Sequence, residues 1–240
     1  MAINFLGMRL EEWTVEELHN RISEAVKHQH SIEILNLNAH GVNLCFDDPE
    51  FFEILKTTQH IFCDGEGVRF AVNQRGGEIP YRITYADWMP QFLSWAQEEG
   101  LRVFFYGARQ AVLQKAVERV HQTFPRLNLC GSVHGYVSEE LAVAEIIRAA
   151  PHVVFVGLGM PLQEKWIRRN KDRISVNCCL SAGAAFDYLA GTVPRAPGFF
   201  RKFGMEWFFR YLIEPRRMFK RYILGNPKFL YRVFRNRPPE

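Results

Sequence analysis

Asp64 is the residue of this sequence best placed to act as a base. It follows an apolar run, "HIFC", and directly precedes Gly65. A strand ending there would deliver the carboxylate to a sheet edge, and the glycine would let the chain turn away. A carboxylate in that position can take the proton of an attacking hydroxyl. Transfer of a sugar with inversion needs one such base. It also needs positive charge or hydrogen-bond donors to receive the departing nucleoside diphosphate. Many enzymes use a metal for the second task, but no D-x-D pair lies near this edge. On this reading Arg82 and arginines of the C-terminal tail can supply the charge in place of a metal, and no cofactor is expected. Other small or polar residues fall where apolar runs stop. Asn36 and Asn38 follow "IEIL", Gly107 follows "VFFY", Gly157 and Gly159 follow "VVFV", and Gln163 lies one turn into the next helix. Each alone fits ordinary turn chemistry, since Asn and Asp hydrogen-bond nearby backbone and glycine makes tight turns. Together they form a ring at one edge of a sheet.

The elements that must position this ring alternate. "TVEELHNRISEAV" opens with Thr14 and has Glu17 three residues on, a capping box. "DDPEFFEILKTT" offers Asp48 as cap and Pro49 at the first helical position. "SIEILNLNA", "HIFCDG", "LRVFFYGA", "LNLCGSV", "HVVFVGLG" and "SVNCCLSAGAAF" read as strands, and helices follow most of them. Gly100 and Ser138 serve as a helix stop and a helix cap. Strand–helix pairs with almost continuously apolar strands predict an α/β fold, a Rossmann-like and mainly parallel sheet flanked by helices. Ligands of such sheets gather at the carboxyl ends of the strands. "GLGMPLQEKW" leaves one of those ends. Its glycines let backbone approach a ligand, Pro161 starts a helix, and the helix N-terminus favours an anion. The same string is not a dinucleotide fingerprint, because Leu162 stands where G-x-G-x-x-G needs its third glycine. No P-loop motif occurs.

The chain has 240 residues, 48% of them hydrophobic, which is ordinary for a globular protein. No apolar run approaches the ~20 residues that span a bilayer. The start, "MAINFLGMRLEEW", has acids where a signal peptide would be basic and then apolar, so a cytoplasmic location is expected. Five irregularly spaced cysteines without C-x-x-C suit reduced core thiols rather than a disulfide or zinc framework. The net charge of +4 is unevenly held: residues 195–240 carry 12 of the 30 Lys+Arg and 3 of the 26 Asp+Glu, together with 12 aromatic residues. The reading divides the chain into a core, 1–194, and a basic, aromatic-rich helical appendage, 195–240, broken by Pro215 and Pro227. By composition that tail could lie on an anionic membrane, pack back on the body, or bind nucleic acid.

"NLNAHGVNL", "CDGEGVRFA", "RITYADWMP", "HGY", "VFVGLGMPLQEKWI", "GAAFDYLAG" and "EWFFRYLIEPRR" occur in this order. In these strings, which run from about residue 30 to residue 220, the chain resembles the WecG/TagA/CpsF family of bacterial glycosyltransferases. The resemblance implies an inverting, metal-independent transferase. It implies a hexose-type sugar moving from a UDP-sugar to a polyprenyl-diphosphate-linked sugar in cell-surface polysaccharide assembly. It places the base on Asp64, substrate contacts on Asn38, Arg82 and Gln163, and the appendage cations on Arg210, Arg216 and Arg217. It favours the membrane for the tail, partly docked and partly lipid-facing, over nucleic acid. The protein would then be peripheral on the inner face of the cytoplasmic membrane, and a homo-oligomer is compatible with it. Removing residues 196–240 is expected to end transfer and membrane association while leaving the core folded. Two departures stand out. Asn36 replaces the Thr of many relatives, and Tyr85-Ala86 replaces Gly-Thr, which is expected to add bulk close to Arg82. The alternative is a non-catalytic sugar-nucleotide or lipid-binding protein on the same fold.

Overall fold

A computed structural model describes residues 2–235. The chain opens with an antiparallel hairpin, β1 (Ala2–Phe5) and β2 (Met8–Glu11). There follow α1 (Val15–Lys27), β3 (Ile32–Leu37), α2 (Ala39–Asp47), α3 (Pro49–Thr57), β4 (His60–Cys63), α4 (Glu66–Gln74) and α5 (Tyr85–Glu98). The second half continues with β5 (Arg102–Gly107), α6 (Gln110–Thr123), β6 (Asn128–Val133), α7 (Glu139–Ala149), β7 (Val153–Gly157), α8 (Leu162–Ile174), β8 (Cys178–Ser181) and α9 (Ala185–Leu189). The tail forms α10 (Gly198–Lys202), α11 (Glu206–Ile213), α12 (Pro215–Met218), a π-helical turn Phe219–Leu224, and α13 (Gly225–Phe234). The hairpin, α2, α4 and α9 were not anticipated from the sequence.

The eight strands form one sheet in the order β1-β2-β4-β3-β8-β7-β5-β6, parallel everywhere except in the hairpin. Alternation along each strand feeds two cores. Leu35, Phe104, Val154 and Cys179 point to one face, where α2, α3, α4, α7 and α8 pack. Ile34, Val103, Phe155 and Leu180 point to the other, covered by α1, α5, α6 and α9. Both faces are dry, which is why the strands read as continuous apolar runs. Cys178 and Cys179 are fully buried, free thiols of these cores.

The expected caps are present. Thr14 and Glu17 exchange both bonds of the capping box, at 3.2 and 2.7 Å. Asp48 accepts from the Phe51 N–H at 3.0 Å, and Ser138 accepts from the Leu141 N–H at 3.3 Å. Pro215 opens α12 as expected, whereas Pro227 lies inside α13, within its first turn, where a missing N–H is tolerated.

The parallel strands all point the same way, so the ends of β3, β4, β5, β7 and β8 open on one edge. The tail helices return over that edge. Phe229 and Val233 of α13 are buried in the core that includes Val42 and Cys45 of α2. Asn43 Nδ2 donates to the Gly225 carbonyl at 2.8 Å, and Arg232 pairs with Asp47 at 2.5 Å. The tail is therefore docked at its far end. This bears against the expectation that removing 196–240 leaves the core intact, because α13 covers apolar side chains of the body.

Candidate active site

Asp64 stands at the carboxyl end of β4, and its N–H donates to the Leu37 carbonyl at 2.9 Å, which ties it to the end of β3. Asn36 Nδ2 donates to Asp64 Oδ2 at 2.7 Å, and Asn38 Nδ2 approaches the same oxygen at 3.4 Å. Oδ1 of Asp64 accepts no hydrogen bond among the described residues. Both asparagines are themselves held. The Asn36 N–H donates to Ser181 Oγ at 3.0 Å, and the Ser181 hydroxyl donates back to Asn36 Oδ1 at 2.8 Å. That reciprocal pair between β3 and β8 fixes the amide with its NH2 toward Asp64. Asn38 caps α2, its Oδ1 accepting from the Gly41 N–H at 3.1 Å. The ends of β3, β4 and β8 thus hold one carboxylate by bonds between residues far apart in the chain.

Burial pushes the Asp64 carboxyl above the usual carboxylate range. The Asn38 and Asn36 amides and the Arg221 charge oppose that rise, and Glu206 adds to it. A carboxylate raised in this way is a stronger base than one at its ordinary value. His40 lies in the same wall, but burial and Arg221 hold its imidazole down to about 4. It is therefore a neutral side chain and a weak base.

Asp64 opens into a cleft of about 1470 Å³ that runs along the strand ends and under the tail. Pockets for one drug-sized ligand hold roughly 300–1,000 Å³, so there is room for two substrates meeting at the base. Of the residues singled out from the sequence, Asn36, Asn38, Asp64, Arg82, Gly157, Gly159, Arg210 and Arg217 border it. Arg82 is held between Glu66, at 3.4 Å, and Glu206 of α11, at 3.1 Å. Glu206 also pairs with Arg195, which reaches Asp87 of α5. This chain of ions joins the body to the tail at the rim. Arg210 is buried, donates to the Tyr188 hydroxyl at 2.8 Å and pairs with Glu214 at 3.2 Å. Arg217 meets the same Glu214 at 3.0 Å and stays exposed.

Three of the singled-out residues lie outside the lining. Gly107 has φ +136, and a Cβ there would collide with the Gly157 carbonyl; its lack of a side chain lets β5 and β7 close together. Arg216 is exposed on α12. Gln163 is wholly buried, and its amide is occupied: Oε1 accepts from the Gly159 N–H at 3.1 Å and from the Gly183 N–H at 2.9 Å, while Nε2 donates to Glu164 at 2.7 Å. It clamps the turn after β7 to the turn after β8 and so shapes the wall from behind. Lys165 is drawn to Asp48, the cap of α3, and to Glu50 in its first turn, at 2.8 and 2.6 Å. Trp166 is a core residue that also borders the cleft.

The sequence reading missed Ser181, Arg221 and Glu206. Ser181 is a small residue closing an apolar run, the same signal that singled out Asn36. Arg221 lies in a basic stretch whose register toward the body only the π-helical turn sets. Tyr85 also differs from expectation. Its ring does not crowd Arg82 but packs into the core against Trp88, Phe62 and Phe155, at 5.4, 5.8 and 6.5 Å between centroids. Among the described residues no cluster of three His, Cys, Asp or Glu side chains is arranged to hold a metal ion.

Comparison with known proteins matches the sequence to a family. The sequence profile of the Glycosyl transferase WecG/TagA/CpsF family matches residues 3–240. An N-acetylglucosaminyldiphosphoundecaprenol N-acetyl-beta-D-mannosaminyltransferase of Bacillus spizizenii is 35% identical over 190 residues, covering 79% of this chain and 73% of its own. The protein of the same name from Bacillus subtilis is 32% identical over 189 residues, with 78% and 73% covered. That from Staphylococcus aureus is 27% identical over 235 residues, with 96% and 91% covered.

Proposed function

Because this chain belongs to the WecG/TagA/CpsF family of glycosyl transferases, we propose that it transfers a hexose-type sugar, with inversion, from a UDP-sugar to a polyprenyl-diphosphate-linked sugar. The relatives' names specify an N-acetylmannosaminyl group and an N-acetylglucosamine-diphosphate lipid, and these are the first substrates to try. The observation that carries the reading is Asp64: a half-buried carboxylate with both amide donors on Oδ2 and, among the described residues, none on Oδ1.

In this reading Oδ1 takes the proton of the acceptor hydroxyl. The freed oxygen attacks the anomeric carbon from the face opposite the nucleotide. As that bond forms, the bond from the anomeric carbon to the diphosphate oxygen breaks, and its electron pair leaves with UDP. Arg210, Arg217 and Arg221 border the cleft from the tail and Arg82 from the body. Their charges compensate the diphosphate without a metal, and they act where charge develops. Gly159 leaves open space at its α-carbon, so the chain before α8 can lie close to a phosphate, at the end of a helix that favours anions. The division into a core, 1–194, and an appendage, 195–240, follows the same logic. The body holds the base, and the tail brings cations and a lipid-facing surface to it. No helix of the described residues is long and apolar enough to cross a membrane, so a lipid-linked acceptor is met at the bilayer surface, by our reading the cytoplasmic one.

The test is a transfer assay with the full chain, short-chain lipid-diphosphate N-acetylglucosamine, a panel of UDP-sugars and no added divalent metal, read by mass spectrometry. One donor is expected to add its hexose mass, and the new linkage is expected to have the inverted anomeric configuration. Asp64→Asn keeps an acceptor oxygen for the two asparagines. It is expected to bind UDP within a few-fold of wild type while kcat falls by roughly 10²-fold or more. UDP-sugar binding with no product from any pair would point to the binding-protein alternative, and an active Asp64→Asn would remove the base.

A further inference from the structure

An arginine that receives a diphosphate has to give up the anion it already holds. Arg82 holds two. Its Nε lies 3.4 Å from Glu66 Oε1, and its Nη1 lies 3.1 Å from Glu206 Oε2. All three side chains border the cleft, half-buried rather than sealed in the core. Glu206 is also near enough to Asp64 for its charge to act on the base. The turn before α11 is laid on the body at this point, since a Cβ at Gly204 would come within 2.9 Å of Glu66 Cγ. Each carboxylate has a second cation that hydrogen-bonds it. Glu66 Oε2 accepts from Arg69 Nε at 2.9 Å. Glu206 Oε1 accepts from Arg195 Nη1, and Arg195 is anchored in turn on Asp87. Glu206 can therefore let go of Arg82 and stay paired, so the exchange leaves no uncompensated charge behind.

We infer that Glu206 holds the place of a substrate diphosphate on Arg82: phosphate oxygens take over Nη1, and the Glu206 carboxylate withdraws to Arg195. The inference rests on the transferase reading above and goes beyond it by naming the group of the tail that competes with substrate and the cation that takes it back. Its physical basis is the difference between the two anions. A diphosphate brings more charge and more acceptor oxygens than a carboxylate, and a guanidinium binds phosphate through two parallel bonds. Glu66 can keep its contact with Nε, because the exchange takes place on Nη1. Glu206 belongs to α11, so the exchange also ties the arrival of a substrate to the tail. Both substrates of the transferase reading carry a diphosphate, and the chemistry is the same for either.

The experiment compares wild type, Glu206→Gln, Arg82→Gln and the double variant, all as full chains. Each is titrated calorimetrically with UDP and with short-chain lipid-diphosphate N-acetylglucosamine. Glu206→Gln keeps the shape of the side chain and an oxygen for Arg195, and removes only the charge. It is expected to tighten one of the two ligands roughly tenfold, whereas Arg82→Gln weakens the same ligand by a similar factor. In the Arg82→Gln background, Glu206→Gln is expected to change that affinity by less than about twofold, because the competitor has nothing left to compete for. Tightening of UDP assigns Nη1 to the donor's diphosphate, and tightening of the lipid-linked sugar assigns it to the acceptor's. If Glu206→Gln binds both ligands no more tightly than wild type, the inference is overturned and Glu206 is only a strut of the rim. Equal tightening with and without Arg82 would overturn it too, since that is plain charge repulsion. Failure of the transferase reading looks different: wild type itself would bind neither ligand, and the inference would fall with it.

Discussion

Asp64 and Glu164 are both pushed upward by burial, yet their surroundings give them different uses. Asp64 borders the cleft and holds two amides on one oxygen, leaving the other without a donor among the described residues. Glu164 is fully buried, accepts from Gln163 on Oε1, and has no partner for Oε2 among the described residues. Burial raises it to about 7, so near neutrality it is half protonated. The consequence for stability has a definite sign. The folded pKa lies above the unfolded value of ~4.3, so the native state binds the proton more tightly. The stability this provides is complete below the unfolded value and is lost as pH rises from there through about 7. Glu164→Gln keeps a neutral group of the same shape and its Oε1 acceptor. Wild type is expected to lose stability between pH 5.5 and 8 by more than the variant does, the difference being ~2 kcal/mol. Thermal denaturation of both chains at the two pH values checks this, and parallel slopes would refute it. Asp64 and Asp187 are raised in the same direction, so the variant is expected to flatten the slope without abolishing it.

At the scale of elements, the site is a problem of holding strand ends together. The reciprocal Asn36–Ser181 pair joins β3 to β8, and Gln163 joins the turn after β7 to the turn after β8. Gln163→Ala would strip the acceptor from two backbone N–H groups at once. It is expected to cost ~1–3 kcal/mol of stability and to lower turnover by loosening the wall, with chemical denaturation and the transfer assay as the measurements. Unchanged stability would show that solvent satisfies the two turns equally well. Much of this scale was legible in the sequence. Runs such as "HIFC" and "VVFV" are strands because both faces of the sheet are buried, and the polar residue ending each run lies at the sheet edge of necessity. That is how Asp64, Asn36 and Asn38 could be picked out. The rest was hidden for physical reasons. The β1–β2 hairpin has four-residue strands, too short to display a period. The helix α4 follows Asp64 through Gly65 and Gly67, residues that weaken helix propensity. Gln163 read as a ligand contact because its place in the chain is the same whether the amide faces the cleft or the neighbouring turn. Arg221 could not be told from the other cations of the tail until a register was known.

At the scale of the whole molecule, the basic tail has two sides. The far end is docked: α13 buries Phe229 and Val233 in the body and pairs Arg232 with Asp47. The near end is open. The helix α10 buries no residue at all, and Phe199 and Phe203 are 65% and 60% exposed beside Arg201 and Lys202. Exposed rings interleaved with cations are poorly served by water and well served by a bilayer boundary, with rings among acyl chains and cations among anionic head groups. Placing that surface at the cleft rim would let a lipid-linked sugar reach Asp64 without leaving the membrane. Truncating the tail cannot test this cleanly, because it would also uncover the core beneath α13. The double substitution Phe199→Ser, Phe203→Ser can, because both rings are mostly exposed and their ring contacts are with each other, 4.9 Å apart, and with neighbouring Phe200, at 5.9 Å. Co-sedimentation with vesicles containing anionic phospholipid is expected to weaken by roughly tenfold or more, and wild-type binding is expected to fall as salt screens the cations. Tm and UDP affinity should stay at wild-type values, since neither the core nor the cleft loses a contact. If the double variant still sediments fully, these rings do not face the lipid, and the acceptor must be lifted to the base by another surface. If sedimentation falls and transfer falls with it only when the acceptor is presented in vesicles, the tail's role is delivery, and the chemistry belongs to the body.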